Sequence, residues 1–132
     1  MKIKQITFYA LRALRAIYLE DKEIVTSSRI SKTEEISQGV LMRILRHLSK
    51  SDILVAHQGR GNVCGGFSLK KEIDDITLLE IIEIMEGTID LSQMARKPFK
   101  DSDSSVYQTI DIINENLRKD LEDYSIREIF HI

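Results

Sequence analysis

The chain has 132 residues, 42% of them hydrophobic, with 19 Lys/Arg against 21 Asp/Glu for a formal net charge of −2. That length admits one domain, or one domain with a dimerising arm, and excludes a large barrel or a doubly wound sheet of ordinary size. No run approaches the roughly 18 apolar residues of a membrane span, and a lone cysteine, Cys64, excludes an internal disulfide or a two-cysteine redox motif. The small net charge hides a split. Residues 1–71 carry 13 Lys/Arg and 6 Asp/Glu (+7), and residues 72–132 carry 6 and 15 (−9). A basic front half suits a polyanion, and an acidic back half faces away from one.

The first periodic segment covers residues 5–20, with Ile6, Ala10, Ala13, Leu14 and Ile17 at helical spacing. Arg12 and Arg15 lie off that stripe and interrupt any signal-peptide core, and no small-residue cleavage site follows, so a cytoplasmic protein is expected. Ile24-Val25 is a short apolar patch. Thr26, Ser27 and Ser28 offer caps for a short helix ending near Lys32, and residues 33–36 have the length of a tight turn. Ser37 is the expected cap of a helix over 38–50, with Leu41, Ile44, Leu45 and Leu48 buried. Gln38, Met42 and Arg46 share another face, flanked by Arg43, His47 and Lys50. A short helix, a tight turn and a second helix with basic residues outward describe a helix-turn-helix.

Residues 53–55 and 67–69 read as paired strands. Between them HQGRGNVCGG holds four of the six glycines, with His57 and Arg60. This is a wing, whose tip can approach a sugar-phosphate backbone through Arg60. The loop lacks GxxxxGK[ST] and GxGxxG, so it is not a nucleotide-binding loop of either kind. A helix follows over 77–86, opened by a Thr77/Glu80 capping box and stopped at Gly87, with Ile82 and Met85 on its buried side beside Leu78 or Leu79. Residues 88–105 form a long irregular segment containing Pro98. From 106 onward Val106, Ile110, Ile113, Leu117 and Leu121 make a continuous stripe. A partner subunit is the economical cover for it, packing on its own head being the alternative, and Ile126, Ile129 and Phe130 are expected to extend or close that contact.

The runs ISQGVLMRILRHLSKSDILVAHQGRGNVCGGFSL and ITLLEIIEIMEG, with Tyr9-Ala10-Leu11-Arg12-Ala13-Leu14 and residues 124–129, resemble the IscR, NsrR and CymR family, the winged helix-turn-helix regulators named after Rrf. The resemblance covers nearly the whole chain. It implies a mainly α fold with a small β wing and a long C-terminal dimerisation helix: a head at 1–87, a sensor-type loop at 88–105, and a dimerisation helix and tail at 106–132. It also implies a homodimeric bacterial regulator, a repressor on a palindromic operator in double-stranded DNA. The helix at 38–50 would enter the major groove and the wing would touch the adjacent minor groove. The expected DNA contacts are Ser37, Gln38, Met42, Arg43, Arg46, Lys50, His57 and Arg60.

There are departures from the family. Cluster-binding members carry three cysteines in the loop at 88–105, which here has none, and Met94 stands where the first is expected. Thioethers are poor substitutes for thiolates, so no iron–sulfur cofactor is carried over. Cys64 interrupts the wing glycines where the family more often has a run such as GPGGGY. It is either an incidental small residue or a redox switch at the DNA surface, with Arg60 near enough in sequence to favour its thiolate. An unknown small-molecule or redox signal is therefore expected as input. His47, His57 and His131 show no conventional metal spacing, so no metal site is expected, and no nucleophile–base signature points to an enzyme. The rival reading is a protein-interaction module that keeps the fold without operator binding.

Overall fold

The first stripe does form a helix. In the computed structural model, which describes residues 2–20, 22–59, 65–91 and 104–132, α1 spans Gln5–Leu19. It buries Ala10, Ala13, Leu14 and Ile17 against α2 (Ser27–Glu34), α3 (Gln38–Lys50) and α4 (Leu78–Glu86). Its N-terminus has no local side-chain cap. Glu86 of α4 supplies one, accepting from Lys4 N (3.1 Å) and from the buried Thr7 Oγ1 (2.5 Å). Glu86 thereby satisfies one backbone donor that the helix itself leaves open, at Lys4, and anchors the Thr7 hydroxyl beside it.

The short second helix runs two residues beyond the expected Lys32, because its stop signal is conformational. Glu35 adopts the left-handed region (φ 55°), and Ile36 N donates back to Ser31 O over 3.2 Å. That six-to-one bond is half of a Schellman stop. The end of α3 repeats the device with Asp52 (φ 62°), Ile53 N donating to Leu48 O and Asp52 N to Ser49 O. Glycine is the usual residue at these positions, and its absence is why composition does not announce either stop.

The wing pairs β1 (Leu54–His57) with β2 (Gly66–Leu69) in antiparallel register, Leu54 opposite Leu69 and His57 opposite Gly66. Val25, read only as part of an apolar patch, forms a bridge to Phe67 through two backbone hydrogen bonds of 2.9 and 2.8 Å. The chain just before α2 is thereby tied to the wing.

On α4 the cap is half of the expected box. Thr77 Oγ1 accepts from Glu80 N (3.1 Å), but the Glu80 carboxylate binds Lys71 Nζ instead of returning to the cap. The buried residues are Leu79, Ile81 and Ile82, and Met85 is only half-buried. Gly87 ends the helix at φ 92°.

The last long helix, α5, spans Ser104–Glu122 and packs on α4. Its stripe divides. Leu117 and Leu121 pack against Leu79, Ile82 and Ile89, Ile110 is half-buried, and Val106 and Ile113 remain exposed, as does Ile112 beside the stripe. Of the two covers expected for this end of the chain, a partner subunit or its own head, Ile126 takes the head. Ile126 lies 1% exposed in the main core, and Ile129 and Phe130 pack against that core. A Thr77–Ser125 bridge explains the turn back: Leu78 N donates to Tyr124 O and Ile126 N to Ile76 O. The short α6 (Ile126–Phe130) then docks on the head, with Arg15 over the Phe130 ring and Arg127 bonded to Asp74 Oδ1 at 2.6 Å. Among the described residues no helix is long and apolar enough to cross a membrane.

Candidate DNA interface

Four fully buried residues of α3, Leu41, Ile44, Leu45 and Leu48, fix its rotation about its axis. With one face held in the core, 3.6-residue periodicity sends Gln38, Arg43, Arg46, His47 and Lys50 outward, and all five are exposed. Ser37 is exposed at the cap position. It caps through its carbonyl, which accepts from Leu41 N, and its hydroxyl makes no capping bond. Met42 is placed differently from the rest of the expected set, half-buried against the core.

Among the described residues, five cations of the front half sit in ion pairs. Glu34 lies 3.6 Å from Arg12 and 4.0 Å from Arg15, and its carbonyl accepts from Arg12 Nη2. Glu20 takes Arg29 (2.8 Å), Asp52 takes Lys70 (2.9 Å) and Glu80 takes Lys71 (2.9 Å). On α3, by contrast, no carboxylate pairs with Arg43, Arg46 or Lys50 among the described residues. Cations outside α3 thus pair with Glu34, Glu20, Asp52 and Glu80, and the outer face of α3 is left positive. That selective pairing escapes a count of charges, because it depends on which elements meet in space.

On the wing, His57 Nε2 and Ser68 Oγ share a 2.7 Å hydrogen bond on the strand diagonal, so the half-buried imidazole is oriented across the hairpin. The glycines here have structural work. A Cβ on Gly65 would lie 2.4 Å from His57 O, and one on Gly66 would lie 2.6 Å from Val25 O. Arg60 and Cys64 fall outside the described residues, as do Met94, Pro98 and Phe99.

A second polar cluster, which sequence reasoning missed, joins α4 to α5. Arg118 forks onto both oxygens of Glu83 (2.5 and 3.3 Å), and Glu83 also accepts from Ile89 N (3.1 Å). Asn114 accepts from Leu91 N and donates to Ile89 O. The hydrogen bond that Arg118 donates to Glu83 is the main cause that raises its guanidinium above the ordinary range, against a lowering by desolvation. Its charge therefore persists through any physiological pH. These side chains grip the first residues of the 88–105 segment, at Ile89 and Leu91.

A short helix, a fixed turn, a second helix with a basic outer face and a two-stranded wing bridged to the chain before α2 define a winged helix-turn-helix DNA-binding regulator. A family model, Rrf2, described as an iron-dependent transcriptional regulator, matches residues 3–131, and the chain belongs to that family. An HTH-type transcriptional regulator of Aquifex aeolicus is 33% identical over 95 residues, which are 72% of this chain and 64% of that protein. The regulator NsrR of Oceanobacillus iheyensis is 32% identical over 88 residues, 66% of this chain and 58% of that protein. The matched stretches thus span less than two thirds of either relative. Among solved structures, that of CymR, the global cysteine regulator of B. subtilis, superposes with a TM-score of 0.73 at 19% identity, covering 98% of this chain and 95% of that one. This last likeness speaks for the fold alone. The family is one of transcriptional regulators rather than enzymes.

The family description implies iron, and the donor set here does not fit an iron–sulfur cluster. Residues 88–105 contain neither cysteine nor histidine, and the chain's one thiol is Cys64. Among the described residues no group of three or more His, Cys, Asp or Glu side chains is placed to hold a metal ion. Thiolate ligation of a cluster needs several sulfurs in one site.

Proposed function

We propose that the protein is a homodimeric repressor that reads a palindromic operator through α3, with the wing on the adjacent minor groove. The observation that carries this reading is the exposed face of α3, where Arg43, Arg46 and Lys50 have no carboxylate partner among the described residues. Cations left unpaired by the scaffold are available to phosphates and base edges. Gln38 suits adenine N6 and N7, Arg43 suits guanine O6 and N7, and Lys50 at the far end suits phosphate. Ser37, Met42, Arg46, His57 and Arg60 complete the proposed contact set.

Dimerisation is supported by the exposed apolar residues of α5, Ile112 at 62% and Ile113 at 48%. Two heads would then sit about 34 Å apart on successive turns of the duplex. In this reading residues 1–87 are the head, 88–105 carry the input, and 106–132 supply the dimer helix and a tail docked on the head. The input is a small molecule acting on 88–105 or a redox change at Cys64.

The test is fluorescence anisotropy on duplexes from the protein's own promoter region, at several salt concentrations, with reduced and oxidised protein. Operator binding should weaken with salt. Each phosphate contact contributes about 0.9 to the slope of log K against log salt, so six α3 cations per dimer set a ceiling near −5 from that helix. Absence of salt-dependent binding to any such duplex would replace this reading by the interaction module.

A further inference from the structure

Gln38 does not stand alone at the start of α3. Its Nε2 donates to Ser27 Oγ over 2.8 Å. Ser27 is the first residue of α2, yet its hydroxyl is not the cap, because Thr26 Oγ1 fills that role by accepting from Arg29 N. Both ends of the Ser27–Gln38 bond are firmly mounted. Ser27 follows two residues after Val25, whose backbone is paired with Phe67 of the wing. Gln38 follows a turn locked by Ile36 N donating to Ser31 O and Ser31 Oγ donating to Ile36 O.

A glutamine amide offers two N–H donors and one carbonyl acceptor. With one N–H held by Ser27, one N–H and Oε1 remain. That pair complements adenine, whose N7 accepts and whose N6 donates. Guanine presents two acceptors, O6 and N7, and a freely turning amide can offer both N–H groups to them. We propose that Ser27 is a positioning residue that presets the Gln38 amide for adenine and against guanine, so that it determines specificity at a base pair it does not touch. The inference rests on α3 being the recognition helix. Ordering the side chain before binding also removes part of the rotamer entropy lost in the complex.

The experiment begins with selection of duplexes from a random-sequence pool by the parent protein and by Gln38→Ala. The position whose preference disappears in Gln38→Ala is then changed from A·T to G·C, and both duplexes are titrated by anisotropy with the parent, Ser27→Ala and Ser27→Thr. The parent should prefer adenine there. Ser27→Ala should reduce the preference about three- to tenfold, the equivalent of one net hydrogen bond, without change in affinity for random duplex or in melting temperature. Ser27→Thr keeps the hydroxyl and should restore the preference. If Ser27→Ala keeps the parent's preference, or weakens all duplexes alike, or if guanine is the selected base, the role of Ser27 is overturned while α3 stays in place. A parent that selects no sequence, or a Gln38→Ala variant that retains every preference, overturns the placement of α3 and the inference with it.

Discussion

Gly66→Ala separates two explanations for a glycine-rich wing. If glycines serve only close approach to DNA, the substitution leaves the free protein as stable as before. The geometry says otherwise, since the new Cβ would sit 2.6 Å from Val25 O, 2.9 Å from Val25 C and 2.7 Å from Ile24 Cγ2. Two of those three atoms are backbone and belong to the bridge that ties the chain before α2 to the wing. Either the neighbours shift, an overpacking cost of about 1–3 kcal/mol, or the Val25–Phe67 bridge opens and loses two hydrogen bonds worth about 1 kcal/mol each. Both routes lead to about 2 kcal/mol. For a chain of this length that lowers the melting temperature by roughly 6–12 °C. Gly39→Ala is the control: nothing lies within 4 Å of its Cβ, and because Gly39 is the second residue of α3 the substitution should be neutral or stabilise by less than the helix-interior gain of about 0.5–1 kcal/mol. The assay is urea unfolding followed by circular dichroism at one fixed protomer concentration, because dimerisation would make the midpoint concentration-dependent. A Gly66→Ala variant within about 0.5 kcal/mol of the parent would refute the claim that packing requires this glycine.

Three further outcomes are expected. Ile113→Asp should shift sedimentation from about twice the 15.2 kDa chain mass to the monomer while circular dichroism is unchanged, because Ile113 is exposed on the single chain; a variant that stays dimeric would remove α5 from the seam. Thr77→Ala should cost about 1 kcal/mol in urea unfolding through loss of the bond to Glu80 N, and an unchanged midpoint would show the cap to be idle. Lys50→Ala should weaken cognate and random duplexes alike and lower the salt slope by about one unit for each phosphate that is no longer neutralised, whereas a purely sequence-dependent weakening in anisotropy titrations would make Lys50 a base reader.

Patterns that repeat with helical period or sit in adjacent residues were legible from the chain of letters. The α3 stripe of Leu41, Ile44, Leu45 and Leu48, the Thr77 cap, the Gly87 stop and the strand pair around the wing are all of this local kind, and the structure reproduces them. The S-x-x-E spacing of Ser125 and Glu128 is an equally local signal, though the start of α6 is not among the expected elements; there Ser125 Oγ accepts from Glu128 N. Features that depend on residues far apart in the chain emerge only once the elements are packed together. The stops at Glu35 and Asp52 lack glycine, so only the assembled backbone shows their left-handed conformation. Ile126 continues an apolar pattern that suits an intersubunit seam, and the Thr77–Ser125 bridge instead turns it into the head's own core. Arg12, Arg15 and Arg43 look alike as letters. The first two approach Glu34 because α1 packs on α2, and Arg43 faces outward because Leu41 and Ile44 face inward. A charge becomes available for recognition only when the fold has chosen which other charges to satisfy, and that choice is made by contacts across the chain.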